Sequence, residues 1–470
     1  METETQTLHA PLILAPAGNK DSFQAALAAG ADAVYCGLRQ FSARMEASNF
    51  SLEELSSLVQ LAHDRNAKVY IAFNSLMKPD DLQPAGKLLD QLNRWVRPDA
   101  LIVQDISLIR LAAEIGFEGK LHLSTLANVS FPAALPLIQK RFGPQIDRVV
   151  LPRELNVDEI KLAAEACPDQ LDLEVFVHGA LCYGISGRCY WSSYMGGKSG
   201  LRGRCVQPCR RFYTQKSEAR RFFSCQDLSL DVLVKVLLSV PRIRVWKIEG
   251  RKKGPHYVYY TVMAYKLLRD HVGDPKMKKL ALELLEQALG RPGTHYHFLP
   301  QRPQNPIRTE DHTGSGRMVA RMKGGGGRPF IIPFEELLPG DLLRVGYEDA
   351  PGHAVFRAVK YVPKKGRLTI QRGFRKTPPK NTPVFLIDRR EKVLQDHLKD
   401  LDRDMNRFHA PEMEDSRYRA EVSRKAPIAF PSLDLPVFRY PPPSDSKGAF
   451  GLWLSLEPES KPLPIDVSAV

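Results

Sequence analysis

Cys182, Cys189, Cys205 and Cys209 fall within one glycine-rich stretch, with six, fifteen and three residues between neighbours. Thiolates are soft ligands, and four of them suit either a structural zinc ion or an iron-sulfur cluster. Zinc sites bring ligands in pairs roughly two to four residues apart, a spacing that only Cys205 and Cys209 have here. The wider separation of Cys182 from Cys189 favours a cluster. Gly184, Gly187, Gly196, Gly197, Gly200 and Gly203 allow backbone to bend around a bulky group. Arg188, Arg202, Arg204, Arg210 and Arg211 would offset the charge of ligated thiolates and also attract phosphates. Cys225 follows Cys209 by sixteen residues and stands as the alternative fourth ligand. Cys36 and Cys167 read as small buried hydrophobes.

A second group of residues could handle protons or anions. Glu249 and Arg251 end a strand-like run, where a carboxylate can accept a proton and a guanidinium can hold a dicarboxylate in a bidentate contact. An internal salt bridge is the alternative for both, and for Arg153 and Glu154. His178, four residues before Cys182, either moves protons or hydrogen-bonds a backbone carbonyl. Asn74 and Gln104 could read a base edge, or be plain solvated groups. Proteolysis is the rival chemistry, but the chain has no His-Glu-x-x-His zinc motif and no Gly-x-Ser-x-Gly elbow.

These residues need a scaffold, and the chain supplies a repetitive one. Apolar runs at Leu12 to Ala15, Ala33 to Cys36, Val69 to Phe73, Leu101 to Val103, Leu121 to Ser124, Val149 to Leu151, Leu173 to Val177 and Val245 to Ile248 read as strands. Amphipathic segments such as Asp21 to Ala29, Leu52 to Arg65 and Val157 to Ala166 separate them. Eight strands with helical crossovers predict a (β/α)8 TIM-like barrel over residues 11–291. Runs that are apolar throughout predict burial on both faces. In such a barrel the loops after the strands converge on one mouth, so the cysteine loop, residues 178–225, would sit there with Glu249 and Arg251. A small strand is expected at Arg221 to Ser224, followed by a helix from Leu230 to Ser239.

Beyond the barrel, short runs at Met318 to Ala320, Phe330 to Ile332, Leu342 to Val345, Ala354 to Tyr361, Leu368 to Gln371 and Val384 to Leu386 predict a small basic β-barrel-like domain over 313–388. Its Arg317, Arg321, Lys323, Arg328, Arg344, Lys364, Lys365, Arg367, Arg372, Arg375 and Lys376 are candidates for gripping phosphates, with Phe330, Tyr361 and Phe374 as stacking candidates. A helical segment over 389–425 and an extended Pro-rich tail over 426–470 follow, the tail ending in a strand-like run at Phe450 to Leu456. Residues 1–10 are expected to be disordered.

The whole chain of 470 residues carries a formal charge of +14, the balance of a protein that meets polyanions such as RNA. Five of its seven cysteines lie between 182 and 225, which is no disulfide framework. Residues 1–10 lack the regions of a secretory signal, and no apolar run reaches the length of a membrane span. A cytoplasmic protein without membrane partners is expected.

Several segments together resemble a known family: His178-Gly-Ala-Leu-Cys182, Gly187-Arg-Cys189, Arg202-Gly-Arg-Cys205 to Cys209-Arg210, Ala15-Pro-Ala-Gly18, Ala31-Asp-Ala-Val-Tyr-Cys-Gly37 and Lys247-Ile-Glu-Gly-Arg251. They look like the collagenase-like peptidase family, unclassified-peptidase family 32 or peptidase U32, over about Pro11 to His271. The resemblance implies an oxygen-independent hydroxylase with a four-iron four-sulfur cluster, acting on transfer RNA, ribosomal RNA or a small aromatic such as a ubiquinone precursor. In the RNA-acting members prephenate is the implied hydroxyl donor, and an iron-sulfur or electron-transfer protein is a candidate partner. By position, Cys182, Cys189, Cys205 and Cys209 match the cluster cysteines, while one ubiquinone-pathway branch uses a later cysteine near where Cys225 stands. The added domain and the basic charge tilt the expectation toward RNA. A cluster-bearing RNA-binding protein without catalysis is a third reading, and an open pocket beside the cysteines would argue against it.

Overall fold

The computed structural model describes residues 10–45, 47–307, 315–324, 329–347, 352–370 and 378–419. The expected Pro-rich tail, the run at Phe450 to Leu456 and the side chains of Arg328, Arg372, Phe374, Arg375 and Lys376 lie outside the described residues.

Short runs rich in Val, Ile, Leu and Tyr form parallel strands β1 (Leu12–Pro16), β2 (Ala33–Gly37), β3 (Lys68–Phe73), β4 (Ala100–Val103), β5 (Lys120–Leu123), β6 (Ile146–Val150) and β7 (Asp172–Ala180). Tyr213–Gln215 and Glu218–Arg220, β8 and β9, form a separate hairpin, and β10 (Asp227–Ser229) runs antiparallel to β7. The last parallel strand, β11 (Ile243–Ile248), pairs with both β1 and β7 and closes an eight-stranded barrel. Helices α1 (Lys20–Ala28), α2 (Leu52–Asp64), α3 (Leu82–Gln91), α4 (Ser107–Ile115), α5 (Ala134–Phe142) and α6 (Val157–Glu165) cross over between successive strands. The cysteine loop contains the short α7 (Trp191–Gly196), and α8 (Val234–Leu238) precedes β11. After β11 come α9 (Pro255–Asp270), α10 (Pro275–Gln287) and the two-residue β12 (Gly293–Thr294), which extends the sheet beside β10.

Local chemistry sets the helix starts. Asn19 accepts a hydrogen bond from Ser22 N at 2.9 Å, and Asn156 forms a capping box with Glu159, each satisfying amides that the first turn leaves free. Apolar faces of these helices then pack on the outer side of the strands, where Phe23, Leu55, Leu61, Ile71 and Trp246 are almost fully buried.

The barrel interior departs from the expected apolar runs. Leu14, Ala33, Tyr35, Tyr70, Ala100, Ile102 and Val245 fill part of it, but β5, β6, β7 and β11 turn His122, Arg148, Glu174 and Lys247 inward. Glu174 is 0% exposed and accepts from Lys247 Nζ at 2.7 Å, with Arg148 at 3.6 Å. Burial alone would raise the Glu174 carboxyl, yet Lys247, Arg148 and His122 hold it below its usual value. The strands are buried on both faces, as expected, with one face partly ionic.

The six-stranded antiparallel sheet that follows has the order β16-β15-β18-β13-β14-β17. Its strands are β13 (Arg317–Lys323), β14 (Phe330–Ile331), β15 (Leu342–Val345), β16 (Ala354–Arg357), β17 (Leu368–Thr369) and β18 (Pro383–Asp388). It curls around a core of its own that includes Val319, Ile331, Leu343 and Leu386. Helix α11 (Lys392–Met405) returns to the barrel, where Leu394 and Leu398 pack on Ala25 of α1.

Replacing Glu174 with Ala leaves Lys247 and Arg148 facing each other in the interior without a counter-charge. The loss should be about 3–5 kcal/mol, read as a lowered urea midpoint at unchanged slope.

Candidate functional site

The long excursion from β7 to β10 is tied down over the mouth of the barrel at points drawn from several strand ends. Glu154, after β6, accepts from the backbone N–H and from Oγ of Ser186, the latter at 2.9 Å. Gly187, at φ +69°, lies so close to the carbonyl of Leu126 that an added Cβ would sit 2.1 Å from that oxygen. Arg202 donates to both carboxylate oxygens of Asp81, at 2.6 and 3.3 Å, and to Leu76 O at 3.0 Å. Gly203, at φ +78°, packs against Ser42 O in the same manner as Gly187. Arg210 donates to the carbonyls of Cys225 and Leu181 and to Ser224 Oγ. From within, Tyr183, Trp191, Tyr213 and Phe223 form an aromatic cluster with ring centroids 5.0 to 6.2 Å apart.

Beneath this loop lies a cavity of about 50 Å3, lined among others by Tyr35, Arg44, Asn74, Arg153, Phe176, Lys247, Glu249 and Arg251. Glu249 stands 3.7 Å from Arg44, and Tyr35 donates to Ile248 O at 3.0 Å just before it. Burial would raise the Glu249 carboxyl, but Arg44, Arg153, Arg251 and Lys247 more than offset it, so Glu249 is held ionised below its ordinary range. Arg251 donates to Ser42 Oγ at 2.7 Å while its buried Nε has no partner. Arg153 donates to Ala180 O at 2.6 Å with its guanidinium 4.5 Å from the Phe176 ring centre. Asn49, in the left-handed region at φ 50°, donates to Arg44 O and Ala47 O and so shapes the loop that carries Arg44. Four cations around one carboxylate give the cavity a surplus of positive charge.

The cysteine thiols gather beside this mouth. A Cβ built on Gly184 would lie 3.2 Å from Cys189 Sγ and 4.0 Å from Cys182 Sγ, so both sulfurs flank one backbone position. Cys205 Sγ is 3.5 Å from Ser192 Oγ on α7. Burial raises the Cys189 thiol, and Cys182 and Cys205 are near enough to raise it further. Cys209 is pushed up to about 12 by burial, with Cys182, Cys205 and Cys225 adding to the rise and Arg210 opposing it. Cys225 feels Cys182 but is buried in the barrel's core, and its backbone bridges to Ile307. All seven cysteines are free. Among the described residues no three His, Cys, Asp or Glu side chains converge on the position of a single metal ion.

Glu249 and Arg251 lie at the mouth as expected, and Arg153 and Asn74 line the same cavity. Asn74 and Gln104 are buried rather than solvated: Asn74 accepts from Ala43 N at 3.0 Å, and Gln104 donates to Leu126 O at 3.4 Å. His178 is turned away. β7 continues to Ala180 because β10 pairs with it, and a register irregularity against β11 directs His178 toward Tyr257 and Tyr265 of α9. Ser229 Oγ donates to Asp231 at 2.6 Å and Tyr265 OH to Val177 O at 2.8 Å. Both hydroxyl hydrogens are thus committed, and the contact from His178 Nδ1 to Ser229 Oγ at 3.2 Å is a donation from the ring.

The strand expected at Arg221 to Ser224 is a turn instead, since the hairpin forms one step earlier at β8 and β9. The helix expected from Leu230 shortens to α8 because Asp231–Leu233 is a 3-10 turn. Lys247 and Tyr35 could have been found from their inward places in β11 and β2. Arg44 could not, since nothing in its loop marks it. In the smaller sheet, Arg344 is buried with Tyr347 and Phe385, and Arg317 pairs with Glu335, whereas Arg321, Lys323, Lys364 and Lys365 are exposed.

A parallel eight-stranded barrel roofed by a four-cysteine loop defines a recognisable class of protein. Residues 18–308 match the model of peptidase family U32, and the chain belongs to that family. A collagenase of Porphyromonas gingivalis is 35% identical over 54% of this chain and 64% of its own length. The tRNA hydroxylation protein P of Helicobacter pylori is 31% identical, over 64% of this chain and 74% of its own. The 23S rRNA 5-hydroxycytidine C2501 synthase of Escherichia coli is 32% identical over 73% of this chain and 50% of its own. The chain thus spans just under two thirds of the collagenase and half of the synthase. Among the described residues no helix is long and apolar enough to cross a membrane.

Burial lowers His178 to about 4, against Asp227 and Asp231 nearby, so it is neutral at neutral pH. A depressed pKa means stability that is full above the unfolded value of 6.5 and is lost as pH falls toward about 4. Between those limits the unfolding free energy should drop by on the order of 3 kcal/mol, and denaturation of His178→Gln across the same range should lack that drop.

Proposed function

We propose that the protein is an oxygen-independent RNA hydroxylase acting on a base of ribosomal or transfer RNA. The observation that carries this is the cysteine loop lying directly over a cation-lined cavity that also holds an ionised carboxylate. Two of the relatives are named for RNA hydroxylation, and the match to the synthase covers more of this chain than the family model does.

In this reading Cys182, Cys189, Cys205 and Cys209 hold a four-iron four-sulfur cluster, which supplies one-electron transfer when bound. Cys209 fits as the fourth ligand better than Cys225, because it stands with Cys182 and Cys205 while Cys225 is packed in the barrel's core. Arg251, with an unpartnered Nε, and Arg153 and Arg44 beside it bind the carboxylates of a hydroxyl donor such as prephenate. Glu249, kept ionised by those same cations, accepts the proton that leaves the base carbon. Tyr35 and Phe176 flank the entering ring, and the loop keeps bulk water off the reacting atoms. His178 is a positioning residue that fixes the start of the loop from behind. The target base must leave its stack to reach the cavity. With the hydroxyl arriving at the oxidation level of hydroxide, turning C–H into C–OH releases two electrons, which an iron-sulfur or electron-transfer protein would accept, and free thiols fit a reducing cytoplasm.

The collagenase relative keeps proteolysis as the rival. Against it, the described lining of the cavity holds Ser124 and Thr125 but neither His nor Cys to pair with them.

Deleting the gene and measuring RNA nucleosides by mass spectrometry should remove a hydroxycytidine or hydroxyuridine from ribosomal or transfer RNA; unchanged levels of both in both pools would sink the proposal. Anaerobically prepared Cys205→Ala should lose the visible absorbance and the iron of the parent, and retention of both would exclude Cys205 as a ligand.

A further inference from the structure

Among the described residues seven aromatic side chains are exposed, and four of them, Tyr183, Tyr190, Tyr194 and Phe212, belong to the cysteine loop. Tyr194 is 73% and Tyr190 63% exposed, well beyond what packing requires of a tyrosine. The two lie one turn apart, since Tyr194 N donates to Tyr190 O at 3.1 Å, and so they share a face at the start of α7. The intervening Trp191 points inward and stacks on Tyr213 at 5.8 Å and 27°. Arg221 sits 4.2 Å from the Phe212 ring centre.

The charge around these rings is one-sided. Residues 181–224 contain nine Lys or Arg and one acidic residue, Glu218. Arg188, Lys198, Arg204, Arg211 and Lys216 are exposed there. On its other side α7 carries Ser192, whose Oγ accepts from Val206 N at 3.2 Å and lies 3.5 Å from Cys205 Sγ. The outward rings and the thiols are thus opposite sides of one short helix.

Rings that stay exposed among Arg188, Lys198, Arg204, Arg211 and Lys216 match the chemistry of unpaired nucleotides: a π face for each base and a charge for each phosphate. We infer that the exposed rings of this loop, Tyr190 and Tyr194 on α7 and Phe212 beside Arg221, are stacking positions for unpaired RNA nucleotides flanking the target base, with the loop's cations on the phosphates. The inference rests on the RNA reading above and moves the main RNA contact from the small sheet to the cysteine loop. A strand held on the outer side of α7 would lie across that short helix from Ser192 and Cys205.

The test is fluorescence anisotropy of the full-length protein with a labelled pyrimidine oligoribonucleotide, single-stranded or as a duplex. Tyr194→Ala and Phe212→Ala should each weaken single-strand binding about tenfold, with duplex binding unchanged and Tyr194→Phe within about twofold of the parent. Lys198→Gln with Lys216→Gln should instead flatten the salt dependence for both RNAs. Near-ultraviolet circular dichroism and iron content, unchanged in all variants, confirm an intact loop. Full single-strand affinity in the alanine variants would overturn the stacking positions and leave the RNA reading standing. A parent that binds no RNA would bring down both. Equal competition by a gelatin fragment, lost in the same variants, would assign the surface to a polypeptide and overturn the inference.

Discussion

The closing seam of the barrel is held by a buried ion pair. Lys247 on β11 meets Glu174 on β7 at 2.7 Å, in a place where neither can reach water. Removing two charges from water is costly, and the mutual attraction repays that cost only in one geometry. The pair therefore specifies register where a purely apolar seam could slide by two residues. That register delivers Glu249 and Arg251 to the mouth, sets Gly179 against the Glu249 carbonyl, and starts the cysteine loop at a fixed height above the cavity. Arg148, His122 and the rings of Tyr35 and Phe176 complete the ionic layer around it.

Much of this architecture could be read from residue order. Each of the eight parallel strands falls on an apolar run, because strands buried on two faces leave few polar positions to blur the signal. The cysteine loop declared itself by composition, and Glu249 and Arg251 by standing immediately after a strand. What escaped reading depended on side chains meeting across the barrel. Lys247 looks like a blemish in an apolar run until Glu174, far away in sequence, is found opposite it. Arg44 lies in a loop whose shape is set by Asn49 and by packing against Gly203, neither of which a local pattern discloses. His178 went to the other side of its strand because of one register irregularity, which periodicity cannot foresee.

The loop over the mouth is held by the short-range hydrogen bonds of its own turns and by anchors on the elements around it. Glu154, Asp81, Leu126 and Ser42 hold it from four separate strand ends, and Arg210 gathers its far end against Leu181 and Cys225. A glycine-rich segment pays heavily in entropy to be fixed, and these distributed anchors offset that cost locally rather than through one hydrophobic nucleus. The aromatic cluster of Tyr183, Trp191, Tyr213 and Phe223 supplies the only sizeable apolar packing within the described part of the loop.

Arg44 occupies a place between two acids of different kinds. Its guanidinium is 3.7 Å from Glu249, and its own proton affinity is raised first by that carboxylate and then by Cys182 and Cys205. One cation is thus shared between the carboxylate and the sulfurs. Were the proposed cluster seated on those thiols, a change in its charge would alter how strongly Arg44 is held there, and hence how strongly it leans on Glu249. Basicity at the carboxylate would then follow the charge of the thiol-lined wall, without a single atom having to travel between them.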